Sequence, residues 1–129
     1  MDTIGDFLTR IRNAQAARHE KVDVPASNMR EGIAKVLKEQ NYISNYKVVK
    51  NSKQGMMRVY LKYDEEGKGS MSNLKRYSKP SRREYVSVKN VPNIRSGYGL
   101  AILSTSKGIL SGGQAKEQNV GGELLCVVW

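Results

Sequence analysis

Apolar side chains open the chain at helical spacing, with Ile4, Phe7, Leu8, Ile11 and Ala14 on one face. Arg10, Arg12, Asn13 and Arg18 lie off that face. Asp2 suits an N-cap and Asp6 adds negative charge to the first turn, so the pattern predicts an amphipathic helix over 3–18. Val22-Asp23-Val24 alternates and stops at Pro25, as a short strand does. Asn28 stands three residues before Glu31, the spacing of a capping box, and Met29, Ile33, Val36, Leu37 and Gln40 then share a face. Asn41 can take the left-handed conformation that ends a helix, which places a second helix at 28–40.

From there the period changes to two. Ile43, Tyr46 and Val48 mark a strand over 43–50, and Asn51 to Gly55 reads as a turn. Met57, Val59, Leu61 and Tyr63 alternate with Met56, Arg58, Tyr60 and Lys62, a strand with one dry and one basic face. Residues 64–69 form an acidic hairpin loop, and 71–77 are expected as a third strand of the same sheet. Ser78 to Arg83 is a basic connector holding Pro80. Tyr85 to Val88 reads as a strand, Asn90 to Gly97 as an irregular or single helical turn around Pro92, and Leu100 to Leu103 as a buried strand. Ile109-Leu110 is a brief strand, 114–118 a weak short helix, and Glu123 to Trp129 a closing strand. The expected fold is α+β. An N-terminal α/β lobe over 1–77 (helix, strand, helix, three strands) packs on a smaller, mainly-β C-terminal lobe over 78–129 that carries a short helix.

Net charge narrows the partners. The chain has 129 residues, a formal charge of +10 and a pI near 9.8. A surplus of this size favours an anionic polymer or surface. It does not reside in a tail: residues 1–63 carry 12 basic and 6 acidic side chains, and residues 64–129 carry 10 and 6. The densest run, Leu74 to Arg95, holds Lys75, Arg76, Lys79, Arg82, Arg83, Lys89 and Arg95 against Glu84 alone. No apolar run approaches the roughly 20 residues of a membrane helix, and no secretion signal is evident at the start, so no membrane partner is expected. The single cysteine suits a reducing cytoplasm.

Between two apolar strands lies Ser104-Thr105-Ser106-Lys107-Gly108. Three hydroxyls, an ammonium and open backbone N–H groups suit phosphate and ribose oxygens. An ordinary hairpin turn would use the same residue types for backbone reasons. Ser104 to Lys107 also matches the Ser-x-x-Lys pattern of penicillin-binding enzymes, but the companion Ser-Asp-Asn and Lys-Thr-Gly motifs are missing. A phosphate-binding P-loop would need the lysine after the glycine. His19 is the only histidine, Cys126 sits inside an apolar strand, and Asp64, Glu65 and Glu66 crowd a loop tip. Catalysis therefore has little material, and no cofactor or metal site is expected. Two helices followed by a β-ribbon leave open a winged-helix-like DNA-binding regulator, with 28–40 as its reading helix.

Several ordered motifs carry a resemblance. Ser104 to Gly108 is followed by Gly121-Gly122-Glu123-Leu124-Leu125-Cys126. Upstream stand Leu8-Thr9-Arg10-Ile11-Arg12-Asn13-Ala14, then Val36-Leu37-Lys38-Glu39 with Tyr42-Ile43, then Tyr77-Ser78-Lys79-Pro80 before Arg82-Arg83. Together they resemble the family of the eighth protein of the small ribosomal subunit, bacterial type, across almost the whole chain.

The resemblance implies a structural ribosomal protein, not an enzyme. It implies direct binding to small-subunit ribosomal RNA in its central domain, early in assembly, beside neighbouring small-subunit ribosomal proteins. It assigns RNA contacts to Ser104, Thr105, Ser106 and Lys107, with Gly121, Gly122, Glu123 and Tyr85 beside them. The basic connector adds Arg82 and Arg83, and Arg12 and Arg30 are expected to touch a second RNA segment. For Glu123 two roles are favoured: accepting a hydrogen bond from the RNA, and orienting Lys107. The sequence departs from the family at Ser81 and Asn41, where glycine is usual. It departs also at Ser111-Gly112-Gly113-Gln114, where glycine should delay or fray the short helix.

Overall fold

The computed structural model describes residues 2–49, 55–93 and 99–129. Most of the expected 51–55 turn, and residues 94–97 of the segment around Pro92, lie outside them. Helix α1 spans Thr3–Ala16, capped by Asp2, whose side chain accepts from the Gly5 N–H. It buries Ile4, Phe7, Leu8, Ile11 and Ala14, the expected face. It ends two residues early because Arg18 turns left-handed at φ 58°, and the His19 N–H reaches back to the Ala14 carbonyl at 2.9 Å.

Helix α2, Asn28–Glu39, closes in the same way at Asn41, with φ 65° and the Tyr42 N–H on the Leu37 carbonyl at 2.8 Å. Its cap is Ser27 rather than Asn28. Ser27 is still extended, and its hydroxyl accepts the Arg30 N–H at 3.2 Å, whereas Asn28 is already helical.

Strands β1 (Lys21–Pro25), β2 (Asn45–Val49) and β3 (Met56–Tyr60) form an antiparallel sheet in the order β1-β3-β2. Its third member is therefore β1. The strand expected over 71–77 is β4, Leu74–Arg76, and it pairs with the C-terminal strand of a second sheet, Leu74 opposite Val128.

That second sheet contains β5 (Tyr85–Val86), β6 (Leu100–Thr105), β7 (Gly108–Ser111) and β8 (Gly122–Val128). Strand β8 is central, with β6 on one side and both β4 and β5 on the other. Strand β5 stops at Val86, short of the expected Val88, because its partner Gly122 is where β8 begins. Residues Val88–Asn90 turn instead into a short 3₁₀ helix. Helix α3, Gly112–Glu117, starts before the expected Gln114. Ser111 and Gln114 form a reciprocal capping box, and Gly112 is buried where an added Cβ would lie 3.0 Å from Val91.

The two faces of this sheet serve two cores. The larger joins Phe7, Leu8 and Ile11 of α1 and Ile33 and Leu37 of α2 to Met57, Val59, Leu74, Ile102, Leu125, Cys126 and Val128. The smaller gathers Val91, Ala101, Leu103, Ala115, Leu124 and Val127. Consecutive Leu125 and Cys126 share the larger core because β8 bulges: Ile102 faces Cys126, but Leu103 faces Leu124, leaving Leu125 as the extra residue. The fold is α+β, as expected.

Candidate nucleic-acid interface

Strand pairing sets the site. Tyr85 of β5 stands opposite Glu123 of β8, Glu123 opposite Ser104 of β6, and Ser104 opposite Ile109 of β7. Directly paired residues project to one face, so these four side chains form a row across the sheet. Ile109 packs against the larger core, beside Gly32 of α2, where an added Cβ would lie 2.9 Å from its own. Tyr85, at the other end, is 71% exposed. The row thus runs from core to solvent, with polar Ser104 and Glu123 between.

Beyond Ser104 the hairpin turns in two residues, Ser106 and Lys107, both exposed. Thr105 closes the turn: its hydroxyl accepts the Lys107 N–H at 3.1 Å and donates to the Gly108 carbonyl at 2.8 Å. Gly108 has φ 104°, a conformation that only glycine takes freely. The two readings of this stretch therefore both hold, residue by residue. Thr105 and Gly108 build the turn, and Ser106 and Lys107 are what it presents. Ser104 and Lys107 also line a cleft of about 480 Å³ with Asn28, Met29 and Lys35 of α2.

Gly121 and Gly122 are hemmed in by neighbouring backbone. A Cβ on Gly121 would collide with the Val86 carbonyl and lie 2.9 Å from Ser87 Cα. One on Gly122 would collide with the Ser104 carbonyl. Neighbouring backbone already fills both positions.

Glu123 is held by partners other than Lys107. Its Oε2 accepts from the buried Ser78 hydroxyl and from Arg83 Nη1 at 3.0 Å. Burial pushes this carboxyl up, but the Ser78 hydroxyl and the Arg83 guanidinium, with Arg76 nearby, outweigh it and hold it below the usual carboxylate range. The Ser78–Glu84 connector is tied down as well. Lys79 and Arg82 exchange backbone hydrogen bonds at 2.9 and 3.0 Å around Pro80-Ser81, and Ser81 needs no left-handed backbone. Arg82 is exposed beside Glu84 at 3.4 Å.

Arg30 is not free for a ligand. It is 7% exposed and donates to the carbonyls of Thr3 and Pro25, at 3.3 and 2.9 Å, so it ties α2 to α1 and β1. Arg12 donates to the Leu74 carbonyl and lines a separate cleft with Arg18 and Lys68. The structure thus gathers Tyr85, Gly121, Gly122, Glu123, Arg83 and Ser104–Lys107 on one sheet and leaves Arg12 and Arg30 apart. Ser78 is the participant that sequence reasoning missed. Nothing local in the Tyr77-Ser78-Lys79 stretch signals a link to a carboxylate 45 residues on.

A carboxylate fixed beside an arginine, a tyrosine at the sheet edge and an exposed hydroxyl–lysine tip offer hydrogen bonds, a flat ring and positive charge. These are groups that a polyanion can use, on a small basic α+β scaffold. Comparison with known proteins narrows that class. Residues 2–129 match the family described as Ribosomal protein S8. A relative from Bdellovibrio bacteriovorus, named small ribosomal subunit protein uS8, is 59% identical over 129 residues and covers all of both chains. Similarly named relatives from Geobacter sulfurreducens and Streptococcus uberis are 52% and 49% identical, covering 99% of this chain and 97% of each relative. The chain belongs to the ribosomal protein S8 family, whose members are structural ribosomal proteins and not enzymes. Among the described residues no helix is long and apolar enough to cross a membrane.

Proposed function

We propose that this protein is a structural component of the small ribosomal subunit that binds small-subunit ribosomal RNA directly, in its central domain, and helps that RNA to assemble in the cytoplasm. The observation that carries the reading is the row Tyr85–Glu123–Ser104 ending beside the exposed Ser106-Lys107 tip. The names of its relatives support the subunit. A-form RNA hides its major groove from side chains, so recognition turns to the shallow minor groove, 2′-hydroxyls and unpaired bases. Ser104, Ser106 and the outer oxygen of Glu123 suit such hydroxyls and base edges. Tyr85 offers a face for an unstacked base, and Lys79, Arg82, Lys89 and Lys107 supply attraction to phosphates. Arg12, with Arg18 and Lys68, is the N-terminal lobe's candidate for a second RNA segment. Neighbouring ribosomal proteins would cover other faces.

Nothing favours the DNA-binding alternative. Helix α2 buries Ile33, Ala34, Val36 and Leu37 and sets Gly32 against Ile109, leaving Lys35 and Lys38 as its exposed cations. Chemical footprinting of small-subunit ribosomal RNA with the pure protein tests the proposal. Protection should be confined to an irregular helix of the central domain. If about 5 phosphates are engaged, affinity should fall by two to three decades between roughly 50 and 200 mM salt. Equal affinity for a DNA duplex of matched sequence would sink the reading.

A further inference from the structure

The two oxygens of Glu123 are in different situations. Oε2 takes both donors, the Ser78 hydroxyl and Arg83. Oε1 has no hydrogen-bond partner among the described residues. No buried side-chain oxygen among those residues lacks a partner, so Oε1 lies at the surface. The inner donor is rigid. Ser78 is fully buried, its backbone N–H donates to the Leu124 carbonyl at 3.0 Å, and its Oγ accepts the Glu84 N–H at 3.2 Å while donating to Glu123. With that backbone bond in place, the hydroxyl proton is committed to the carboxylate. Arg83 approaches from the solvent side, with its side chain 48% exposed against 15% for Glu123.

We propose that Ser78 and Arg83 are positioning residues for RNA recognition, holding one oxygen of Glu123 so that the other accepts a hydrogen bond from the RNA. This rests on the RNA-binding reading above. The donor must be a neutral N–H or O–H, a base amino group or a ribose 2′-hydroxyl, because an ionised carboxylate repels phosphate. On a face otherwise rich in cations, one fixed negative oxygen does what lysines cannot. It excludes the backbone from one spot and so sets the register of the RNA on the sheet. A freely rotating glutamate would find a lysine instead. Hydrogen bonding to Ser78 and Arg83 also keeps the carboxyl ionised in mildly acidic solution.

The test is a mutant cycle on the full chain, read as affinity for purified small-subunit ribosomal RNA, with thermal melting as the check on folding. Ser78→Ala should weaken binding about tenfold, the scale of a lost hydrogen bond to a charged group. Its salt dependence should be unchanged, since no phosphate contact is lost. In a Glu123→Ala background the same substitution should change affinity less than about twofold, because Ser78 acts only through that carboxylate. Equal losses in both backgrounds would overturn the proposal. Acid sharpens the distinction: binding by Ser78→Ala should begin to fail at a higher pH than wild type, whereas a merely structural serine would not move that midpoint. If Ser78→Ala does not fold, Arg83→Gln, at an exposed position, carries the same cycle. RNA carrying 2′-deoxy or inosine substitutions names the donor. The substitution that weakens wild type but not Glu123→Ala marks the contact, and none doing so counts against it. Wild-type protein that fails to bind this RNA at all would instead refute the RNA-binding reading itself.

Discussion

Two carboxylate–arginine pairs, one reaching the second sheet at β4 and one at β8, look alike in charge and distance and differ in what remains available. Asp2 and Arg76 form a closed pair. Both Asp2 oxygens accept from Arg76 Nε at 3.2 Å, Oδ1 also takes the Gly5 N–H, and Arg76 Nη1 donates to the Leu125 carbonyl at 2.6 Å. The arginine side chain is 10% exposed. This pair stitches the start of α1 to β4 and β8. Glu123 and Arg83 form an open pair, with one carboxylate oxygen committed and the other at the surface. Charge alone does not separate the two; the fate of each oxygen does. A closed pair is a fastening, and an open one has capacity left for a partner.

The largest expected effect breaks the closed pair. Arg76→Ala should cost about 2 kcal/mol of stability in denaturant unfolding, because it removes the ion pair from the Asp2 cap and one of two donors on the Leu125 carbonyl, which keeps only the Tyr77 N–H. RNA affinity of the folded protein should stay within about twofold. A large affinity loss with intact stability would erase the distinction drawn between the pairs.

Ser106→Ala works from the opposite side. At the exposed hairpin tip it should leave stability within about 0.5 kcal/mol and cost about 1–2 kcal/mol of RNA binding, measured by filter retention. An unchanged affinity would remove the hairpin from the interface.

The smallest effect is in acid. The Asp2 carboxyl is pushed up by burial and lowered further by the Gly5 N–H and Arg76, so it lies below its ordinary 3.8. A depressed carboxyl adds stability that is fully present above its unfolded value and disappears as pH falls through the folded one. Asp2→Asn should therefore narrow the stability difference between neutral pH and pH 3, as followed by thermal melting. A steeper acid loss in that variant would contradict the assignment.

Much of this was legible in the chain, and the exceptions share a cause. The faces of α1, α2 and β3 follow from periodicity, because each buries one side within reach of its own neighbours in sequence. Asn41 follows from its tolerance of positive φ. Strand β4 lies in a different sheet from the expected one because three residues, Leu74–Arg76, carry no period, and their partner is the last strand of the chain. The two glycines predict a late or frayed start for the short helix, but the Ser111–Gln114 capping box sets it at Gly112, where tight packing on Val91 favours glycine. Tyr85, Ser104 and Glu123 could be grouped by resemblance but not by spacing. The burial of Arg30 does not follow from the helix pattern, which cannot show that two carbonyls from other elements converge on it. Ser78 was invisible for the same reason: long-range hydrogen bonds leave no local trace.

The bulge at Leu125 has one more consequence. A strand is a two-stroke counter, and β8 skips one beat. Its C-terminal half is in phase with the larger core, and the extra residue resets the count so that Glu123 falls on the same side as Cys126 and Val128, three and five positions later. Were the strand drawn straight, with the same residues in a regular ladder, Leu124 and Glu123 would exchange sides. The carboxylate would then point into the smaller core, and the row with Tyr85 and Ser104 would dissolve. Deleting Leu125 would leave a hole in the larger core yet keep Glu123 in phase, so parity in a single strand, rather than any side chain near the hairpin, decides which way the row of Tyr85, Glu123 and Ser104 faces.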